Sequence, residues 1–147
     1  MVAAKMSVAE LEQFLRVEFP QQFGNGDIVI ESADGETCLL RQHYDETMLR
    51  PGGTVSGPTL MALADCAMCA VLLSAIGPVG PAVTTNFSIN FLRRGEAGQD
   101  VLAAARIMKL GRQLAVGEVT LRLGASADPI AHVTATYSIP NKRGFIE

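Results

Sequence analysis

The segment between Pro58 and Gly77 constrains the fold more than any other part of the sequence. Apolar residues occupy every face of the helix it would form, and repeated alanines leave little side-chain bulk. Pro58 suits the first turn because its φ is fixed and it has no N–H to leave unpaired, and Gly77-Pro78 is a terminator pair. A helix that is apolar all round is buried all round. The rest of the chain must therefore surround it.

The flanking sequence predicts one further helix and a series of strands. Ser7 and Glu10 have the spacing of a capping box, so a helix is expected from about residue 8 to 17. Its apolar stripe consists of Val8, Leu11, Phe14 and Leu15. Strands are predicted over 27–33 and 37–44, joined as a hairpin by a turn at 34–36, and over 82–92, 101–110, 114–123 and 130–139. We expect an α+β fold in which an antiparallel sheet of five or six strands wraps around the long helix.

Length and composition narrow the class of protein. The 147 residues suit one domain, which we expect to span 1–147, with an N-terminal helical segment in 1–20 and a mobile tail at 141–147. A hydrophobic share of 48% is high, so we expect a large core or a subunit interface. The net charge of −3 and a pI near 5.4 argue against a nucleic-acid partner.

Cysteine usage and the apolar run bear on location. The chain has an odd number of cysteines, Cys38, Cys66 and Cys69, and its first residues lack the pattern of a secretory signal peptide. We therefore expect reduced thiols in a cytoplasmic protein. The run at 60–76 is interrupted by Asp65 and is short for a bilayer span. We therefore expect no membrane helix.

Asp65 is the exceptional residue of the long helix, since it is ionisable in an almost wholly apolar setting. Burying an unpaired carboxylate costs free energy, and such residues are commonly functional. The alternative is a structural role, in which Asp65 accepts hydrogen bonds from the glycine-rich loop before the helix.

The stretch Ser56-Gly-Pro-Thr-Leu-Met-Ala-Leu-Ala-Asp65, taken with the order of elements, resembles a known family. It is similar to the H-G-G-x-x-x-x-L-x-D signature of the phenylacetate-pathway (PaaI-like) acyl-CoA thioesterases, which have the hot-dog fold. Residues 83–92 resemble that family's third strand, 111–112 its β-turn and 131–137 its last strand, so the likeness covers roughly 28–140. The chain departs from the family pattern with Ser56 in place of histidine, Pro58 in place of glycine and Arg50 in place of asparagine.

The resemblance implies hydrolysis of an acyl-CoA thioester, and the residues fit that chemistry. The reaction needs a donor for the developing oxyanion and a carboxylate to activate the nucleophile. The Gly57 amide, at the positive end of the helix, is the candidate donor, and Asp65 is the candidate general base or nucleophile. Because Pro58 has no N–H, the donor role falls on Gly57 alone or together with Thr59.

The spacing of these two residues predicts a dimer. Eight positions of helix separate Gly57 from Asp65, which corresponds to about 12 Å at about 1.5 Å per residue. A donor and a base acting on one carbonyl must each lie within about 3 Å of it. A two-fold dimer would bring Gly57 of one chain beside Asp65 of its partner. We expect an obligate homodimer, with a pair of dimers as the open alternative, and the resemblance implies the same interfacial sites.

Further residues are assigned around this pair. Thr84 falls where the family has a hydroxyl residue beside the catalytic carboxylate, although an ordinary strand threonine is an equal alternative. Arg50 either contacts the substrate or a phosphate, or pairs with Asp45 or Glu46. The remaining substrate-binding candidates are Ser56, Pro58 and Thr59 at the helix start, and Met61, Met68 and Cys69, which share the helical face of Asp65 and predict an acyl pocket.

Basic residues at strand ends are candidates for binding the phosphates of coenzyme A. They are Arg93 and Arg94 after one strand, and Lys109 and Arg112 around the next turn. Solvated loops are the alternative for each residue alone. Cys66 and Cys69 have C-x-x-C spacing inside a helix, where packing is the favoured role. We expect no metal, and no cofactor apart from the coenzyme A thioester as substrate.

Two other functions remain open. A non-catalytic acyl-CoA-binding protein is favoured by the changes at Ser56 and Arg50. An acyl thioester hydratase or dehydratase usually needs a histidine paired with an acid, and Ser56 removes the obvious candidate.

Overall fold

The computed structural model describes residues 4–78, 82–124 and 126–140. Two helices open the chain and a third follows the first hairpin: α1 (Val8–Glu18), α2 (Pro20–Phe23) and α3 (Gly57–Ile76). The strands are β1 (Ile28–Ala33), β2 (Thr37–Gln42), β3 (Val83–Phe91), β4 (Val101–Leu110), β5 (Leu114–Leu123) and β6 (Pro129–Ser138). A single 3₁₀ turn, Glu46–Met48, lies between β2 and α3. The predicted tail at 141–147 lies outside the described residues.

The six strands form one antiparallel sheet in the order β1-β2-β4-β5-β6-β3, packed against α3. The α+β architecture is thereby confirmed, with six strands rather than five. The inward residues of β5, from Ala115 to Leu123, alternate with outward ones, as expected for a sheet with one face on the core. The side chains of α3 are buried on most sides, and its carboxylate, Asp65, is half-buried.

Helix α1 begins with the predicted capping box. The Ser7 hydroxyl accepts a hydrogen bond from the Glu10 amide at 3.1 Å, and the Glu10 carboxylate accepts one from the Ser7 amide at 2.9 Å. Leu11 and Leu15 are buried against the core. The sequence analysis did not predict two short elements. One is α2, which begins at Pro20, and the other is the 3₁₀ turn, where the Asp45 side chain accepts a hydrogen bond from the Thr47 amide.

By length and composition α3 could cross a bilayer, which corrects the expectation that the apolar run is too short. It has 20 residues, and its most apolar window has a mean hydropathy of 2.0. Within the protein, 67% of that window is buried. The helix is the core around which the sheet is built.

Strand β3 lies at the end of the sheet and carries a bulge that matters for the site. It pairs with β6, and the register shifts between Thr84 and Asn86. A bulge adds one residue and changes which side chains share a face. Here it leaves Thr84, Phe87 and Ile89 partly buried on the α3 side, while Thr85 and Asn86 are exposed.

Candidate functional site

Asp65 is held by hydroxyl groups from two strands. The Thr84 hydroxyl donates a hydrogen bond to Asp65 Oδ1 at 2.9 Å, and the Tyr137 hydroxyl donates to the same oxygen. Thr84 and Tyr137 are cross-strand partners in the β3–β6 ladder, so one register places both hydroxyls below α3. Burial, and then the charge of Asp65, raises the pKa of the Tyr137 phenol. The phenol therefore stays protonated and remains a donor.

The sequence analysis placed Thr84 beside Asp65 but missed Tyr137. The signal was present in β6, where Ala131, Val133, Ala135 and Tyr137 are the inward, buried residues. A buried tyrosine generally finds a partner for its hydroxyl. What the pattern leaves open is which partner, because that depends on the packing of β6 against α3.

Asp65 opens onto a cleft of about 410 Å³. The lining consists of Met61, Ala62, Asp65, Thr84 and Phe87. Apart from the carboxylate and the threonine hydroxyl, these walls are apolar, which suits a hydrocarbon group. Met61 is 41% exposed and belongs to the cleft, as the shared helical face predicts.

Met68, which the sequence analysis assigned to an acyl pocket, lies outside the described lining of the Asp65 cleft. Met68 is fully buried, and a Cβ placed on Gly117 of β5 would lie 2.7 Å from its sulfur atom. The side chain therefore fills the space that a glycine leaves under α3. Cys69 is half-buried and lies outside the described lining of the cleft. Burial raises the pKa of its thiol to about 12, so the thiol is neutral beside Asp65.

Gly57 lies in a second cleft, of about 480 Å³. The lining consists of Arg50, Thr54, Val55, Gly57, Leu60, Phe91, Leu92, Arg93, Arg94 and Gly95. Its charged residues are three arginines, so the cleft favours anions. Among the described residues nothing accepts a hydrogen bond from the Gly57 amide. A Cβ at this position would lie 3.2 Å from the Phe91 ring, so the close approach of β3 favours glycine.

The other predicted residues at the start of α3 cap the helix. Ser56 is the N-cap, and its hydroxyl accepts from the Thr59 amide at 3.2 Å. The two hydroxyl oxygens are 2.8 Å apart, and the Thr59 hydroxyl donates to the Met48 carbonyl at 3.3 Å. The Thr59 amide is therefore already hydrogen-bonded, which favours Gly57 alone as the candidate oxyanion donor. Pro58 follows Gly57 in the first turn.

The four basic residues assigned to coenzyme A do not meet within one chain. Arg93 and Arg94 follow the end of β3, where Phe91 pairs with Ala131. Lys109 and Arg112 lie at the turn end of the β4–β5 hairpin. At that end Leu114 pairs with Ser138, and Ser138 pairs in turn with Val83 at the start of β3. The length of β3, roughly 26 Å at about 3.3 Å per residue, separates the two pairs.

Arg50 is exposed in the tight turn that precedes α3. Its side chain forms no ion pair with any described residue, so the alternative pairing with Asp45 or Glu46 is not made. It faces the Gly57 cleft with Arg93 and Arg94.

The two clefts share no lining residue. Gly57 lies against Phe91 at one end of β3, and Asp65 is bonded to Thr84 at the other end. The donor and the carboxylate of one chain thus face different clefts, as the helical spacing predicts.

Residues 52–128 match the family model of the thioesterase superfamily. A candidate thioesterase from a Silicibacter species, known from its crystal structure, is 41% identical, with a TM-score of 0.87 and coverage of 95% of this chain and 96% of that one. The Escherichia coli PaaI protein from the phenylacetic acid degradation operon is 21% identical, with a TM-score of 0.78 and coverage of 93% and 98%. A Streptococcus mutans protein bound to acetyl CoA is 24% identical, with a TM-score of 0.71 and coverage of 78% and 90%. The last two show likeness of fold. No curated protein sequence matches the chain significantly.

Proposed function

This chain belongs to the thioesterase superfamily and has the hot-dog fold, and from that premise we propose that it hydrolyses an acyl-CoA thioester to the free acid and coenzyme A. The observation that carries the proposal is the Asp65 carboxylate, held by two hydroxyls at the mouth of an apolar cleft. An ionisable side chain on an otherwise apolar helix, at the wall of a cleft, is commonly functional. The likeness in fold to a protein bound to acetyl CoA supports a coenzyme A thioester as substrate.

The chemistry divides between the two clefts. The Gly57 amide donates to the thioester carbonyl, and the positive end of α3 stabilises the oxyanion as it forms. Asp65 either removes a proton from an attacking water or attacks the carbonyl carbon itself. When water attacks, the C–S bond breaks and the proton taken up by Asp65 passes to the sulfur, so coenzyme A leaves as the thiol. When Asp65 attacks, cleavage of the C–S bond leaves an anhydride between the acyl group and Asp65, the departing thiolate takes a proton from solvent, and a water molecule then hydrolyses the anhydride to release the free acid. The acyl chain lies against Met61 and Phe87.

The arginines of the Gly57 cleft support recognition of the coenzyme. Arg50, Arg93 and Arg94 line the same cleft as the amide. Guanidinium groups bind phosphates through paired, charge-assisted hydrogen bonds. Substrate affinity is therefore expected to fall as the salt concentration rises.

A homodimer completes the site in this proposal. Strand β3 ends the sheet, and a long unpaired edge is normally covered. Val83, Phe91 and Leu92, at its two ends, are 58%, 55% and 52% exposed. Pairing of two β3 strands about a two-fold axis is antiparallel, so the Asp65 end of one chain would meet the Gly57 end of its partner. The same pairing would bring Lys109 and Arg112 of one chain towards the end of the partner's β3 that Arg93 and Arg94 follow.

The decisive experiment for the activity incubates the protein with a panel of aliphatic and aromatic acyl-CoAs and follows the release of free thiol. We expect release by the natural sequence and none by Asp65→Asn, with folding and CoA binding retained. Asp128→Asn is the matched control, because Asp128 is an exposed aspartate outside both clefts.

Other results would overturn the proposal. Near-normal turnover by Asp65→Asn would refute the role of the carboxylate. Binding without thiol release by the natural sequence would favour an acyl-CoA-binding protein, and conversion of the acyl group without thiol release would favour a hydratase. In sedimentation, a monomer with full activity would refute the shared site.

A further inference from the structure

Tyr137 makes a contact that thioester hydrolysis does not require in itself. Its hydroxyl oxygen lies 2.9 Å from the backbone carbonyl of Asp65 and also contacts the carboxylate oxygen Oδ1. A phenol has one proton to donate, and a charged carboxylate is the stronger acceptor. The Tyr137 side chain is only 2% exposed, so water does not compete readily for the bond.

The two carboxylate oxygens of Asp65 have different surroundings. Oδ1 accepts from both Thr84 and Tyr137. Oδ2 accepts from no described residue, and no described side-chain nitrogen or oxygen atom is both buried and unpaired. Oδ2 is therefore accessible, and the cleft that Asp65 lines is where it can meet a ligand.

From this asymmetry, and resting on the proposed hydrolysis, we infer that Tyr137 is a positioning residue that fixes Oδ1 together with Thr84, so that Oδ2 is the oxygen that reacts. Two donors on one oxygen prevent rotation of the carboxylate about its Cβ–Cγ bond. Tyr137 is supplied by β6, and its ladder to β3 sets the distance to Thr84.

The test is Tyr137→Phe in the full chain, compared with Tyr44→Phe. Tyr44 is the other tyrosine in the sequence and is partly buried against the core outside the two clefts. Loss of the donor is expected to lower kcat about 10-fold to 100-fold, because small errors of placement at a reacting group have effects of that size. KM should change little. Tyr44→Phe should leave kcat and KM unchanged.

Thr84→Val removes the other donor with little change of shape and keeps the inference testable if Tyr137→Phe does not fold. It should lower kcat with little change in KM, as Tyr137→Phe is expected to do. An unchanged kcat in a folded Tyr137→Phe, or a lower kcat with a KM changed to the same degree, would overturn the positioning role. Asp65→Asn separates this failure from failure of the proposed function. If Asp65→Asn is inactive while Tyr137→Phe behaves like the natural sequence, the inference about Tyr137 fails and the hydrolase stands.

Discussion

Gly117 of β5 lies where Met68 of α3 meets the sheet, and replacing it by alanine tests how tightly that contact is packed. The new Cβ would lie 2.7 Å from both the sulfur and the terminal carbon of Met68, and 2.8 Å from the backbone oxygen of Arg106. Met68 is fully buried and the oxygen belongs to the neighbouring strand, so neither can move away freely. Overpacking of this kind costs about 1–3 kcal/mol.

Part of that cost is offset because alanine restricts the unfolded chain. The offset is about 0.4–1 kcal/mol where the native backbone suits alanine, and the φ of Gly117 is not positive. We expect Gly117→Ala to be destabilised by about 1–2 kcal/mol, which lowers Tm by about 2–8 °C in a domain of this size. Calorimetry at fixed protein concentration measures this. Gly124→Ala is the control, since its Cβ would meet its nearest neighbour at 3.5 Å.

A Gly117→Ala variant as stable as the natural sequence would refute the packing argument. It would mean that Met68 can leave the core, and its assignment to an acyl pocket would regain support. A destabilised variant with unchanged acyl-chain preference would agree with Met68 as a core residue.

Two further changes test contacts that stabilise the fold. Ser56→Ala removes the hydroxyl that caps α3 through the Thr59 amide. We expect the free energy of unfolding, measured in urea, to fall by about 0.5–2 kcal/mol. An unchanged urea midpoint would show that the cap does not stabilise the protein. The pKa of Glu118 is lowered from 4.5, mainly by the hydrogen bond with His132. The ionised Glu118 therefore contributes to the free energy of unfolding above that pH, and the contribution is lost as the pH falls. The stability advantage of the natural sequence over Glu118→Gln at pH 7 should therefore shrink below pH 4.5, and an advantage that is constant down to low pH would contradict the linkage.

The sequence was informative about the fold because its patterns are local. Residues within a single element predict the apolar helix, the capping box and each alternating strand. Together these elements require a sheet that packs against one buried helix. Helix α2 and the 3₁₀ turn at Glu46–Met48 were missed because each is only one turn long and depends on a single starting residue. No periodicity is visible over so short a span.

The site was less predictable because it depends on which elements face each other. The partnership of Tyr137 with Asp65 joins residues 72 positions apart and depends on the packing of β6 against α3. Met68 shares a helical face with Asp65, but the helix alone does not show that Gly117 opens a space for it. In the same way, chain order does not reveal that Arg93 and Lys109 lie towards opposite ends of β3.

The proposed shared site is tested most directly by mixing two chains that the proposal predicts to be inactive. Asp65→Asn removes the carboxylate, and Gly57→Pro removes the amide donor at a helix start, where proline is tolerated. The new Cβ would lie 3.2 Å from the Phe91 ring, which is 55% exposed and has room to shift by a few tenths of an ångström. The loss of one oxyanion donor is expected to lower kcat about 100-fold to 1,000-fold. In a mixed dimer, the first chain supplies Gly57 and the second supplies Asp65, so one of the two sites is complete.

Co-expression of the two variants in equal amounts should restore about a quarter of the natural turnover, because about half of the dimers are mixed and each has one complete site. The control is each variant expressed alone under the same conditions. Activity no higher than the mean of the two variants, in a sample shown to contain mixed dimers, would contradict a site built from Gly57 of one chain and Asp65 of its partner.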